Sequence, residues 1–87
     1  MSNRGIIKNN LIDLISQIFG IPKDVFKTYG KSLLNEKLGL NAIALTYLYF
    51  IVQAEFGVVF PKNVLDRHRF DSIENITDIL LDELEQN

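Results

Sequence analysis

None of the 87 residues is cysteine. Disulfide staples, thiolate metal sites and thiol chemistry are therefore excluded, and redox logic says nothing about compartment. Histidine occurs once, as His68 between Arg67 and Arg69. With no second histidine or carboxylate cluster at ligand spacing it reads as a surface residue, and no metal is expected. There is no phosphate-cradling glycine loop and no EF-hand spacing. Ser16, Ser32 and Ser72 stand in no context that would make a nucleophile, so the chain is read as a non-enzyme. Internal repeats and low-complexity tracts are missing too. The opening residues Met1 to Gly5 lack the apolar region and cleavage site of a secretory signal, which makes a cytoplasmic location the expectation.

Charge is scarce in one place and divided elsewhere. From Leu38 to Ala54 there are 17 residues without a charged side chain. A membrane-spanning helix wants about 20 predominantly apolar residues, and this run includes Gly39, Asn41, Thr46, Tyr47, Tyr49 and Gln53. It is read instead as a central helix buried on most sides. Residues 1–44 carry six basic and three acidic groups, and residues 45–87 carry three basic and eight acidic. Neither half clusters Lys and Arg as a nucleic-acid binder does, and the pI near 5.2 points the same way.

What is present is helical patterning in a single domain, residues 1–87. Ile7, Leu11, Leu14, Ile15 and Ile18 share one helical face. Gly20 and Pro22 end that helix. Residues 21–40 form a long connection, too long for a free loop in a small domain. Ile21, Val25, Phe26, Leu33 and Leu34 are expected to pin it to the core, with room for one helical turn. Asn41 is a candidate cap for a helix running to Phe56 and stopped by Gly57. Along it Leu45, Leu48, Val52 and Phe56 lie on one side, and Tyr47, Phe50 and Ala54 toward another. The apolar surface is wider than one core face requires. Val58 to Phe60 is too short to predict a sheet. A short helix is expected near Asn63 to Asp66. A last amphipathic helix follows Asp71-Ser72-Ile73-Glu74, an Asx residue with glutamate three positions on, and its inner face is Ile73, Ile76, Ile79 or Leu80, and Leu84. The fold class is all-α, a four-helix bundle of three main helices and a short one.

Three stretches together resemble the acyl carrier protein family. Leu38-Gly39-Leu40-Asn41-Ala42-Ile43 is similar to its L-G-x-D-S-[LI] attachment motif. Ala54-Glu55-Phe56-Gly57-Val58-Val59-Phe60-Pro61 is similar to the E-E-F-G-[IV]-x-[IF]-P that ends its second helix. Ser72-Ile73-Glu74-Asn75-Ile76-Thr77-Asp78-Ile79-Leu80 is similar to the start of its last helix. Order and spacing match over nearly the whole chain.

The resemblance implies an acyl-carrier-protein-like bundle and a place in lipid, polyketide or peptide-maturation biosynthesis. In the family, the serine of the first motif carries 4′-phosphopantetheine through a phosphodiester, which needs a hydroxyl nucleophile. Ala42 stands at that position, flanked by Asn41 and Ile43, so the chain as written carries no such cofactor; it would do so only if position 42 were serine in the native protein. Asn41 keeps the capping role of the family's aspartate without its charge. The acidic docking face is altered as well: Ala44, Tyr47, Phe50, Gln53 and Ala54 replace it, with only Glu55 acidic, and Lys62, Arg67 and Arg69 follow. These are the partner-recognition candidates. A partner steered by charge would lose on-rate against such a surface.

Two readings of Ala42 remain: a natural carrier-like protein that lost the site, as in carrier-related proteins encoded beside bacterial peptide-maturation enzymes, or a working acyl or peptidyl carrier with an engineered Ser→Ala change. A small ligand-binding helical bundle is a further alternative. The expected partners are biosynthetic or modifying enzymes that recognise the Asn41–Phe56 helix, with no nucleic acid and no membrane span, and the chain is expected to be a monomer. Tyr47 and Phe50 either pack against the first helix or the connection, or stand exposed as anchors for a partner.

Overall fold

The computed structural model describes residues 3–29, 31–61 and 70–85. Four α-helices hold the described residues together, with no strand among them: α1 (Arg4–Phe19), α2 (Lys23–Tyr29), α3 (Ala42–Phe56) and α4 (Ile73–Glu85). The all-α class expected from the sequence is what the chain adopts. The short helix expected near Asn63 to Asp66 lies outside the described residues, as do Lys62, Arg67, His68 and Arg69.

α1 and α4 form the main helix pair, and α2 packs on α1. From α1, Ile7, Leu11 and Ile15 are buried; Leu14 and Ile18 are half-buried at the margin of the same face. From α4, Ile73, Ile76, Ile79 and Leu80 face them, and Leu84 is half-buried. Burying such side chains stabilises by about 1.5–3 kcal/mol each before conformational entropy is counted. Thr77 is also buried there, its hydroxyl donating to the Ile73 carbonyl at 2.7 Å. That bond removes the cost of a polar atom in the core.

α1 stops at Gly20, whose φ of 66° lies in the left-handed region that glycine enters without penalty. Pro22 then precedes α2. The expected single turn in the connection is thus a seven-residue helix, with Asp24 in its first turn, where a negative charge suits the helix dipole. Phe26 anchors α2 in the core and Val25 is half-buried. Beyond α2 the buried anchors are Leu33 and Leu38; Leu34, expected inside, is about half exposed. The reason is local. Turns from Ser32 to Gly39 reverse the chain, and Leu33 is drawn inward where its N–H donates to the Asp71 carbonyl at 2.6 Å.

The start of α4 also differs in detail. The cap is Ser72 rather than Asp71: its hydroxyl accepts from the Asn75 N–H at 3.0 Å, and the Asp71 carboxylate accepts from the Asn75 side chain at 3.2 Å. Glu74, freed from any reciprocal cap, reaches across to Lys8 and Arg4 of α1, and Arg4 also pairs with Asp78. No helix among the described residues is long and apolar enough to cross a membrane.

Candidate functional site

The site read from the sequence is the start of α3, and its placement begins upstream. Leu38 is buried, and its N–H donates to the Asn35 carbonyl at 2.9 Å. Gly39 follows with φ 70°, a conformation that a side chain would strain. Asn41 is extended, and its side-chain oxygen accepts from the Ala44 N–H at 2.8 Å, so it caps the helix as its sequence position suggests. Ala42 is the first helical residue and is exposed. Its methyl group offers no oxygen for a phosphodiester, so the residue present does not fit a phosphopantetheine arm. The nearest hydroxyl along the helix, Thr46, is engaged with the Ala42 carbonyl at 3.0 Å.

α3 is not buried on most sides. Only Leu48 and Val52 are fully inside, with Leu45 and Phe56 half-buried beside them. The opposite stripe, Ile43, Tyr47, Phe50 and Ala54, recurs at i, i+4, i+7 and i+11 and faces solvent. Ile43 is 79% exposed, Tyr47 57% and Phe50 64%. The rings therefore do not pack against α1 or the connection. The cause is the α1–α4 pairing, which fills the core and leaves α3 a single narrow seam; a domain this small has little interior left to offer.

Two of the remaining candidates face the protein. Ala44 is half-buried. The Gln53 amide donates to the Tyr49 carbonyl at 3.0 Å and accepts from the Phe60 N–H at 2.8 Å, so it tethers the segment after Gly57. In that segment Val58 and Phe60 point inward and Val59 outward. Ala54 and Glu55 are exposed. Lys62, Arg67 and Arg69 fall outside the described residues.

A feature the sequence reading missed lies between the two stripes of α3. Tyr49 packs edge-on against Phe50, Phe60 and Phe70, with ring centroids 5.4 to 5.5 Å away. Beside these rings is an open apolar concavity of about 350 Å³, lined by Leu45, Thr46, Tyr49, Phe50 and Phe70. Asn41 does not line it. The signal was available in principle: Tyr49 sits one turn after Leu45, on the edge of the inward stripe. None of these five lining residues is charged. The ionic network, in which Lys8 foremost and Arg4 next hold the Glu74 carboxyl below the usual carboxylate range, belongs to the α1–α4 seam. Among the described residues no group of three or more His, Cys, Asp or Glu side chains is placed to hold a metal.

Comparison with protein-family models, with curated proteins and with solved structures finds no match to the chain. The likeness to carrier proteins thus rests on the motifs quoted above.

Proposed function

We propose that the chain is a non-catalytic, carrier-type interaction domain that has exchanged cargo attachment for recognition through α3. One observation carries this reading: the exposed stripe of Ile43, Tyr47 and Phe50 begins beside Ala42, where the carrier motif would present its serine. Apolar patches of several hundred Å² on a small protein mark interaction sites more often than chance exposure, and aromatic side chains supply much of the energy at interface centres. Because the stripe carries no charge, its partner is recognised by apolar contact and shape rather than by electrostatic steering. The partner class that the motifs suggest is an enzyme of lipid, polyketide or peptide maturation.

Two measurements test the reading. Incubation with a broad-specificity phosphopantetheinyl transferase and coenzyme A should leave the intact mass unchanged; a gain equal to the arm overturns the loss of attachment. Affinity capture from the source cells should yield a biosynthetic or modifying enzyme that binds the native chain and is lost with Y47D/F50D. Retention of that enzyme by the double variant would rule out α3 as the recognition element.

A further inference from the structure

A second surface lies along the seam between α1 and α2 and shares no lining residue with the α3 stripe. Lys23 and Lys27 are one helical turn apart on α2, and Lys31 continues the four-residue spacing just beyond it. The seam holds two adjoining concavities. One, of about 320 Å³, has Phe26, Ile12 and Ile73 as its apolar lining, with Lys8, Lys27, Lys31 and the Glu74 carboxylate around it. The other, of about 310 Å³, shares Ile12 and Lys27 and extends to Asp13 and Lys23.

The charges at the two ends are already neutralised. Lys8 pairs with Glu74, and Lys23 pairs with Asp13. Asp24 also borders the second concavity and tempers the field there. Lys27 and Lys31 are both exposed. Among the described residues neither of them makes an ion pair.

We infer that this seam is a docking groove for an acidic peptide segment of a partner protein, one that places an apolar side chain over Ile12 and Phe26 and a carboxylate against Lys27 and Lys31. Charge complementarity selects the sign of the partner: of the three charged side chains at the groove that make no ion pair among the described residues, Lys27 and Lys31 are cationic and only Asp24 is anionic. Shape selects a segment over a small ligand. Two concavities that adjoin at Ile12 and Lys27, each at the lower end of small-molecule pocket size, suit successive side chains of a peptide better than one compact molecule. Lysine ammoniums on flexible stems bind carboxylates as point charges, so the contact is salt-sensitive and fast to form. This inference does not depend on the proposed function of α3.

The probe is a dye-labelled synthetic peptide of alternating leucine and glutamate, titrated by fluorescence anisotropy against the full chain. Two control peptides carry glutamine or lysine in place of glutamate. The expected result is saturable binding that weakens from low to physiological salt, where the Debye length is about 8 Å, and amide shifts at Ile12, Phe26, Lys27 and Ile73 in the protein's NMR spectrum. K27E/K31E should weaken binding about tenfold or more, whereas K27R/K31R retains it. Both lysines are exposed, so folding is expected to survive, and circular dichroism of each variant verifies it. The inference is overturned by no binding, by equal binding of the lysine peptide, by indifference to charge reversal, or by shifts centred on Tyr47 and Phe50. Equal displacement by free octanoate or inorganic phosphate would overturn the peptide assignment as well.

Discussion

α3 and α4 differ in a way that composition alone would rank backwards. α3 reads Ala42-Ile43-Ala44-Leu45-Thr46-Tyr47-Leu48-Tyr49-Phe50-Ile51-Val52 with no charge before Glu55, and yet only Leu48 and Val52 are fully inside. α4 carries five acidic residues, and yet Ile73, Ile76, Ile79 and Leu80 are all buried. The amphipathic helix finds its place because one face alone is apolar, and α1 offers a matching face of Ile7, Leu11 and Ile15. The apolar helix has two candidate faces and room for one. What remains outside, Ile43, Tyr47 and Phe50, is surface that folding does not need, which is why it is the first place to look for a partner.

The largest expected effect tests whether α4 and α3 differ as much as this. Ile76→Ala removes a fully buried side chain and should cost about 2–5 kcal/mol, enough to leave so small a domain marginally folded. Ile43→Ala and Tyr47→Ala should stay within about 0.5 kcal/mol of the native chain, with either sign. Urea unfolding followed by circular dichroism reads both. A loss for Tyr47→Ala comparable with that for Ile76→Ala would mean that the α3 stripe is covered in the folded protein, and the comparison would fail.

Next in size is the end of α3. Gly57 sits at φ 67°, and a Cβ added there would meet no atom within 4 Å. Gly57→Ala therefore isolates the backbone cost, about 1–2 kcal/mol for a left-handed residue. A smaller change, read from the same denaturation curves, would show that the end of α3 relaxes despite the tether from Gln53 to Phe60.

The two caps extend the contrast. Ser72 is buried at the start of α4, and Asn41 is exposed at the start of α3. Ser72→Ala leaves the Asn75 N–H without its partner away from water and should cost about 1–2 kcal/mol; Asn41→Ala leaves the Ala44 N–H to solvent and should cost about 0.5–1 kcal/mol. Asn41→Asp should match or exceed the native chain, because a carboxylate suits the helix dipole. Thermal melting of the three variants gives the order, and equal losses for the two alanine changes would show that burial of the cap is irrelevant.

Much of this architecture is legible in the sequence, and the parts that are not share a cause. Gly20 and Gly57 stop α1 and α3, and Asn41 caps α3, because these are decisions of the local backbone. α2 is harder to read: seven residues give too little periodicity, and Pro22 marks the start of α2 as well as the end of α1. Ser72 and Asp71 compete for the same cap, and only the register of α4 separates them. The exposure of Tyr47 and Phe50 is not local at all. It follows from the α1–α4 pairing, made between residues some seventy positions apart, as between Lys8 and Glu74. The aromatic cluster of Tyr49, Phe60 and Phe70 is hidden for the same reason.

The smallest effect concerns the charges that join α1 to α4, a feature α3 lacks. Lys8 first, then Arg4, lower the pKa of Glu74 relative to an ordinary glutamate. The carboxylate therefore contributes stability that is complete above its unfolded-state pKa and is lost as pH falls through the depressed folded value. Arg4, raised by Glu74 and then Asp78, contributes fully at every pH below its ordinary value, so the acid slope reports on the carboxylate. Side chains this exposed are screened by solvent, and each such pair is worth about 1 kcal/mol at most. Urea midpoints measured from neutral pH down through the carboxylate range should fall, and Glu74→Gln should flatten that fall. Salt should shrink the difference, since the Debye length drops to about 3 Å at 1 M. If Glu74→Gln leaves the slope unchanged, the ionic contacts add nothing to the α1–α4 pair, and its advantage over α3 is entirely the matching of two apolar faces.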